Sequence, residues 1–228
     1  MKVAVLYSGG KDSNYALYLA KKYEYEISCL ISMKAKNKES YMFQTPGNDF
    51  ISYQAEALGI NLIHYETSGE KEIELNDMKD AIKEAIDKYA IEGIITGAIK
   101  SAYQAQRVQK ICNELNIECF NPLWQIDEEE FMMDLIKDGF DVRIIGVFSY
   151  PLTEDLVGVY VTEKILEKLK EYNKKYQISV AGEGGEMESF VVDGPTFKKK
   201  LEIEEFEICK ESENSILMNI KKIKLYEK

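Results

Sequence analysis

Six residues near the start of the chain, Ser8, Gly9, Gly10, Lys11, Asp12 and Ser13, combine the groups that phosphate recognition asks for. Two glycines can turn the chain sharply and bring backbone N–H groups close to a ligand, because neither carries a Cβ. Ser8 and Ser13 offer hydroxyl donors, and Lys11 offers a mobile charge on what reads as an exposed loop. Asp12 could cap the following helix or help to hold Mg2+. The six stand between the apolar run KVAVLY and a helical pattern, so a helix N-terminus would add unpaired N–H donors and a positive dipole end. A plain strand-to-helix turn with a solvated lysine accounts for the glycines but not for all six residue types. The spacing is neither GxxxxGK[ST] nor GxGxxG, which separates it from two common nucleotide loops.

The elements that must position this loop alternate. KVAVLY reads as a buried strand, and Asp12 to Lys22 as a helix with Tyr15, Leu19 and Tyr23 on one face. EISCLISM is a second strand, and a helix through YQAEAL stops at Gly59 before the strand NLIHYET. LNDMKDAIKEAIDKYA is an amphipathic helix with Asn76 as its expected N-cap; EGIITGA is the fourth strand and AYQAQRVQKICNEL the next helix. This rhythm predicts an α/β fold, a parallel sheet with helices on both faces.

The pattern changes after NPLW, residues 121–124. Helices through EEEFMMDLIKDG and VTEKILEKLKEY flank the strand DVRIIGVFSY. ESFVVD is a further strand, and KKKLEIEEFEICK and SILMNIKKIKLY alternate well enough for a hairpin around ESEN. We therefore expect a nucleotide-type domain over 1–138 and a smaller α+β domain over 139–228. The stretch 33–49 reads as a long, mobile loop over the strand ends.

Composition removes several classes of chemistry. Lys and Arg total 29 against 40 Asp and Glu, a formal charge of −11, which argues against non-specific nucleic-acid binding. Cys29, Cys112, Cys119 and Cys209 show no CxxC spacing and read as buried, reduced thiols. The single histidine, His64, reads as a packed residue, so chemistry resting on several histidines is excluded. No run approaches the ~18 apolar residues of a bilayer span, so the expectation is a soluble, cytoplasmic protein with no membrane partner.

SGGKDS resembles the PP-loop of the ATP pyrophosphatases, which implies ATP cut between its α- and β-phosphates. Three further stretches, TGAIKSAYQAQRV at 96–108, NPLW, and AGEGGEMESFVVDGP at 181–195, follow in order. Together with SGGKDS they resemble the diphthine–ammonia ligase family over nearly the whole chain. The chain departs from that family's pattern at Met187, where tyrosine is usual, and at Ala102, where an acidic residue is common.

The resemblance implies an ATP-dependent, AMP-forming ligase that adenylates the diphthine carboxylate of translation elongation factor 2 and amidates it with ammonium. It implies ATP and Mg2+, with Ser8 to Ser13 on the phosphates, Asp12 near the metal, and Lys11 acting catalytically. Ser32 and Met33 offer a backbone pair for adenine; Gly97 and Ala98 are small enough for ribose or the α-phosphate to approach; Lys100 could meet phosphate. Ser101, Tyr103, Arg107, Gly184, Gly185 and Glu188 are assigned to the acceptor, and Glu183 and Glu186 join Lys11 as catalytic candidates. Three carboxylates within six residues repel one another, so a solvated turn is a poor place for them. A trimethylammonium, ammonium or a second metal would each explain them. A homodimer is compatible with this reading. The alternatives are a PP-loop enzyme acting on a tRNA base and a non-enzymatic nucleotide sensor.

Overall fold

The computed structural model describes residues 1–35, 47–68 and 73–228. Residues 36–46 of the expected loop over the strand ends lie outside this description. Five parallel strands form the first sheet: β1 (Lys2–Leu6), β2 (Glu26–Ala35), β3 (Asn61–Thr67), β4 (Gly93–Ile95) and β5 (Glu118–Phe120), in the order β3-β2-β1-β4-β5. Val3 and Val5 face one side of the sheet and Ala4 the other, all fully buried, as a strand covered on both faces requires. The chain reverses its winding between β1 and β4, and ligands of such sheets bind beyond the strand ends at that crossing. The loop 8–13 leaves β1 there, and the turn 96–101 leaves β4.

Helices α1 (Lys11–Lys22) and α2 (Ile51–Leu58) cover one face of the sheet, while α3 (Ile73–Tyr89) and α4 (Ala102–Glu114) cover the other. Gly59 ends α2 in the left-handed conformation, as expected. Asn76 is not an N-cap. It lies inside α3, because the buried face of Met78, Ala81, Ile82 and Ala85 continues back to Glu74. His64 is also a correction: β3 is the sheet edge, and the imidazole is exposed there rather than packed. Of the four free thiols, Cys29 and Cys112 are buried and Cys119 and Cys209 partly so.

The second sheet is antiparallel, with β6 (Asp141–Val147), β7 (Met187–Asp193), β8 (Lys199–Ser212) and β9 (Ser215–Glu227) in the order β7-β6-β9-β8. The predicted hairpin closes at Ser212 opposite Ser215, through Glu213 and Asn214. Asp127 caps α5 (Glu128–Lys137), accepting the Glu130 N–H at 3.0 Å, and Thr162 caps α6 (Glu163–Tyr176). Val3, Leu17 and Leu30 of the first sheet's side share one apolar core with Phe131, Ile144, Phe190, Val191 and Met218. That continuity brings β7 against the phosphate-type loop. Among the described residues, no helix is long and apolar enough to cross a membrane.

Candidate active site

A cleft of about 490 Å³ opens at the carboxyl ends of β1 and β4, a size suited to a small ligand. Tyr7, Ser8, Asp12 and Ser13 form one wall, Thr96 to Ala98 with Ser101 and Gln104 a second, and Gly182, Glu183, Gly185 and Glu188 a third. Ile31, Met33 and Met78 give it an apolar end. The two glycine-rich motifs, far apart in sequence, thus face one cavity.

The loop is held from behind. Gly9 has φ +80°, in the left-handed region that favours glycine. The Asn14 side-chain amide donates to the carbonyls of Gly9 (3.2 Å) and Gly10 (2.9 Å), and its oxygen accepts from the Tyr7 hydroxyl at 2.9 Å. Both residues are buried, and burial raises the Tyr7 phenol well above its ordinary pKa, so it stays a donor. Strand β7 adds two bonds: the Val191 N–H donates to the Gly9 carbonyl at 3.1 Å, and the Lys11 N–H to Ser189 Oγ at 3.1 Å. No acceptor among the described residues bonds the Asp12 and Ser13 N–H groups, which line the cleft. They are the spare donors expected of a helix N-terminus.

Lys11 is not the exposed loop residue expected from sequence. It is the first residue of α1, only 4 % exposed, with its Nζ 2.8 Å from Asp12 Oδ1 and 5.7 Å from the Phe131 ring centre. The Phe131 ring of α5 lies beside its ammonium, and Ser189 of β7 holds its backbone N–H. Burial pulls its pKa down, but the charges of Asp12, Glu183 and Glu188 outweigh that and raise it, so Lys11 is a fixed cation. Asp12 does not cap α1: Gly10 stands at the N-cap, without a side-chain bond, and the Asp12 carboxylate turns to Lys11.

Gly97 lines the cleft, but its smallness is required by α1. A Cβ there would lie 2.8 Å from the Asp12 carbonyl carbon and 2.9 Å from the Ser13 nitrogen, closer than atoms of a rigid backbone allow. Gly97→Val is therefore expected to push the helix start aside and to weaken nucleotide binding about tenfold or more, measured by calorimetry. Wild-type affinity would show that the turn 96–101 yields without moving the loop.

The three glutamates separate. Glu183 and Glu188 both reach the cleft, and both carboxyls are pushed up to about 7. Burial is the main cause in each; Asp12 adds to it and Lys11 opposes it. Glu186 does not line the cleft. Its two oxygens accept the N–H groups of Ser179 (3.0 Å) and Gly184 (2.8 Å), which closes the turn that presents Glu183. Gly185, with φ +81°, lines the cleft, whereas Gly184 is exposed beside the Glu186 carboxylate.

Of the other candidates, Ser32, Lys100, Tyr103 and Arg107 do not line the cavity, whereas Met33 and Ser101 do. Lys100 pairs with Glu128 at the start of α5, and Ser101 accepts the Gln104 N–H as the N-cap of α4 while also lining the cleft. Arg107 lies on the Tyr103 ring, 3.3 Å from its centre, and donates to the Tyr103 carbonyl; neither residue lines the cleft. Ser32 and Met33 do not act as a backbone pair. The Ile31 carbonyl accepts from the Tyr7 N–H, so alternation along β2 turns the Ser32 backbone toward β3 and that of Met33 toward the cleft. The Met33 carbonyl also accepts from the Asn48 side chain at 2.9 Å.

Asn14, Glu128 and Ser189 were not singled out in the sequence. Glu128 Oε2 accepts from Ser179 Oγ at 2.6 Å and from the Ala181 N–H at 3.2 Å, anchoring the glutamate turn to α5. Burial works against its ionisation, yet Lys100, Ser179 and Ala181 hold its carboxyl below the usual range. The only sequence signal was an acidic helix start, which reads first as dipole compensation. Among the described residues, no cluster of three or more His, Cys, Asp and Glu could hold a metal ion.

Comparison with known proteins agrees over both halves. Residues 1–119 match the diphthamide synthase N-terminal domain, and residues 127–226 the diphthamide synthase C-terminal domain. The chain is 33% identical to a diphthine–ammonia ligase of Bos taurus over 230 residues, which cover 93% of this chain and 86% of that protein. For the Homo sapiens diphthine–ammonia ligase, identity is 33% over 226 residues, with 91% and 85% covered. The Saccharomyces cerevisiae relative, also 33% identical, is longer: the match covers 87% of this chain and 34% of that one. With both domain models matched and the Bos taurus and Homo sapiens relatives aligned over most of their length, the chain belongs to the diphthamide synthase family, that of the diphthine–ammonia ligases.

Proposed function

We propose that the chain uses ATP to adenylate the carboxylate of diphthine on translation elongation factor 2 and then amidates it with ammonia. The observation that carries this reading is the single cleft shared by the phosphate-type loop and the Glu183–Glu188 turn. An acceptor carboxylate entering between them would meet the α-phosphorus of an ATP whose outer phosphates rest on the loop. Carboxylate oxygen attacks phosphorus, the bond to the bridging oxygen breaks, and pyrophosphate leaves. Ammonia nitrogen then attacks the acyl carbon, AMP departs with the electron pair of the C–O bond, and the nitrogen releases one proton to solvent. No protein nucleophile is needed; orientation and charge stabilisation suffice.

Lys11 and the N–H groups of Asp12 and Ser13 take the charge of the leaving pyrophosphate. Mg2+, held by Asp12 together with phosphate oxygens, would supply further neutralisation of that charge. Glu183 and Glu188 face the acceptor, where carboxylates attract the trimethylammonium of diphthine and ammonium itself. Glu186 supports the turn. Residues 1–138 bind ATP in this scheme and residues 139–228 bind the acceptor, with β7 joining the two. A substrate that works in translation places the reaction in the cytoplasm.

The test is product analysis with purified components. AMP and pyrophosphate should form in equal amounts only when diphthine-bearing elongation factor 2 and ammonium are both present. Turnover that depends on tRNA instead, or none with either acceptor, would overturn the proposal.

A further inference from the structure

We propose that Gln54 is a positioning residue for the phosphate loop, acting from a helix that contributes nothing to the cleft wall. This rests on the reading that residues 8–13 bind the phosphates. Gln54 is fully buried in α2, among Ile51, Ala55, Ala57 and Leu58, and does not line the cavity. A buried primary amide is costly unless its donors are used. Here Nε2 donates to the Gly9 carbonyl at 2.9 Å and to the Val191 carbonyl at 2.7 Å. One side chain thus clasps the phosphate loop to β7, the strand that carries Glu188.

The consequence for the loop follows from peptide geometry. The Gly9 carbonyl receives the Gln54 amide, the Val191 N–H and the Asn14 amide, all from the side away from the ligand. The peptide unit is planar and trans, so a carbonyl fixed inward fixes the next N–H outward. That N–H belongs to Gly10, and it donates to Ser8 Oγ at 3.4 Å, Ser8 being a residue of the cleft wall. Gln54 therefore sets the direction of a loop N–H it never touches, and through it the placing of the Ser8 hydroxyl at the cleft.

Gln54 also determines which residue can stand at position 9. Its Oε1 has no hydrogen-bond partner among the described residues and lies 2.3 Å from where a Cβ on Gly9 would be. Leaving an acceptor unpaired in the interior is tolerated because the other end of the amide holds two carbonyls at once. Glycine at 9 and glutamine at 54 fit each other, which explains a polar residue at a buried helix position.

The test uses the full chain and an ATP analogue with a methylene bridge between the α- and β-phosphates, so that neither acceptor nor turnover enters. Gln54→Met keeps the length of the side chain and removes the donor. Its affinity for the analogue should fall about ten- to a hundredfold, and the Gly10 amide should exchange hydrogen faster, in a variant that is still fully folded at the assay temperature. Gln54→Leu serves the same purpose if the first variant does not fold. Wild-type affinity and exchange in a folded variant would overturn the role of Gln54. So would a loss that merely follows the folded fraction. A wild-type chain that fails to bind the analogue would instead overturn the phosphate reading itself.

Discussion

Lys11→Met is expected to lower the rate of pyrophosphate release by about a hundred- to a thousandfold, the range seen when one preorganised charge or donor is removed from a reacting oxyanion. Methionine is the informative replacement because Lys11 is buried against Phe131, so alanine would also open a cavity and confound the result. The stem packs as before, and only the ammonium is lost. Its loss is also felt by the protein. Lys11 is the cation that opposes the raised pKa of Glu183 and Glu188, so their carboxyls should rise further. At acidic pH they accept protons, and the variant should be nearly as stable as the parent. At alkaline pH they must ionise without a counter-charge, at a cost of about 1–3 kcal/mol. Single-turnover assays with radiolabelled ATP measure the first effect, and thermal melts across pH the second. A variant that releases pyrophosphate at a near-normal rate would remove Lys11 from the chemistry.

The alternation of strands and helices was legible because each strand of a doubly covered sheet is apolar over its whole length, as in VAVL of β1. SGGKDS was legible because its residue types are jointly costly anywhere else. The burial of Lys11 was not, since the atoms that bury it belong to Phe131 and to β7, far along the chain. The same holds for Asn14, Gln54, Glu128 and Ser189. Each is a polar residue inside an amphipathic pattern, where sequence alone reads a surface position, and each acquires its partner only through tertiary packing. The glutamate motif shows the limit most directly. Spacing offers three equivalent carboxylates, but a turn can use one of them to tie its own backbone, and Glu186 is the one it uses. Asn76 fails for a related reason: asparagine is a residue type that favours N-caps, but the buried face of α3 extends past it.

Glu188→Gln should make the nucleotide-free chain more stable and less active, with a gain in stability that grows from acidic to alkaline pH. The Glu188 carboxyl is pushed up to about 7 in the fold, chiefly by burial, against an ordinary value of 4.5. A raised carboxyl pKa means that the folded chain holds its proton more tightly than the unfolded chain. Stability therefore falls as pH rises from the ordinary value through the raised one, and above it the full penalty applies. That penalty is about 2–3 kcal/mol as an upper bound, because solvent in the open cleft relieves part of it. Glutamine fills the same space and never ionises, so it escapes the penalty. For a chain of this length the melting temperature should rise by roughly 4–8 °C at about pH 8. At about pH 5.5 the gain should be less than half as large, because Glu188 is then already protonated in the fold. Turnover should fall at both pH values if the carboxylate holds the cationic acceptor or ammonium. A surface glutamate would show neither the pH-dependent gain nor the loss, and a purely structural one would show destabilisation. The combination expected here, a residue whose charge the fold would be better without, is the mark of a group kept for its ligand.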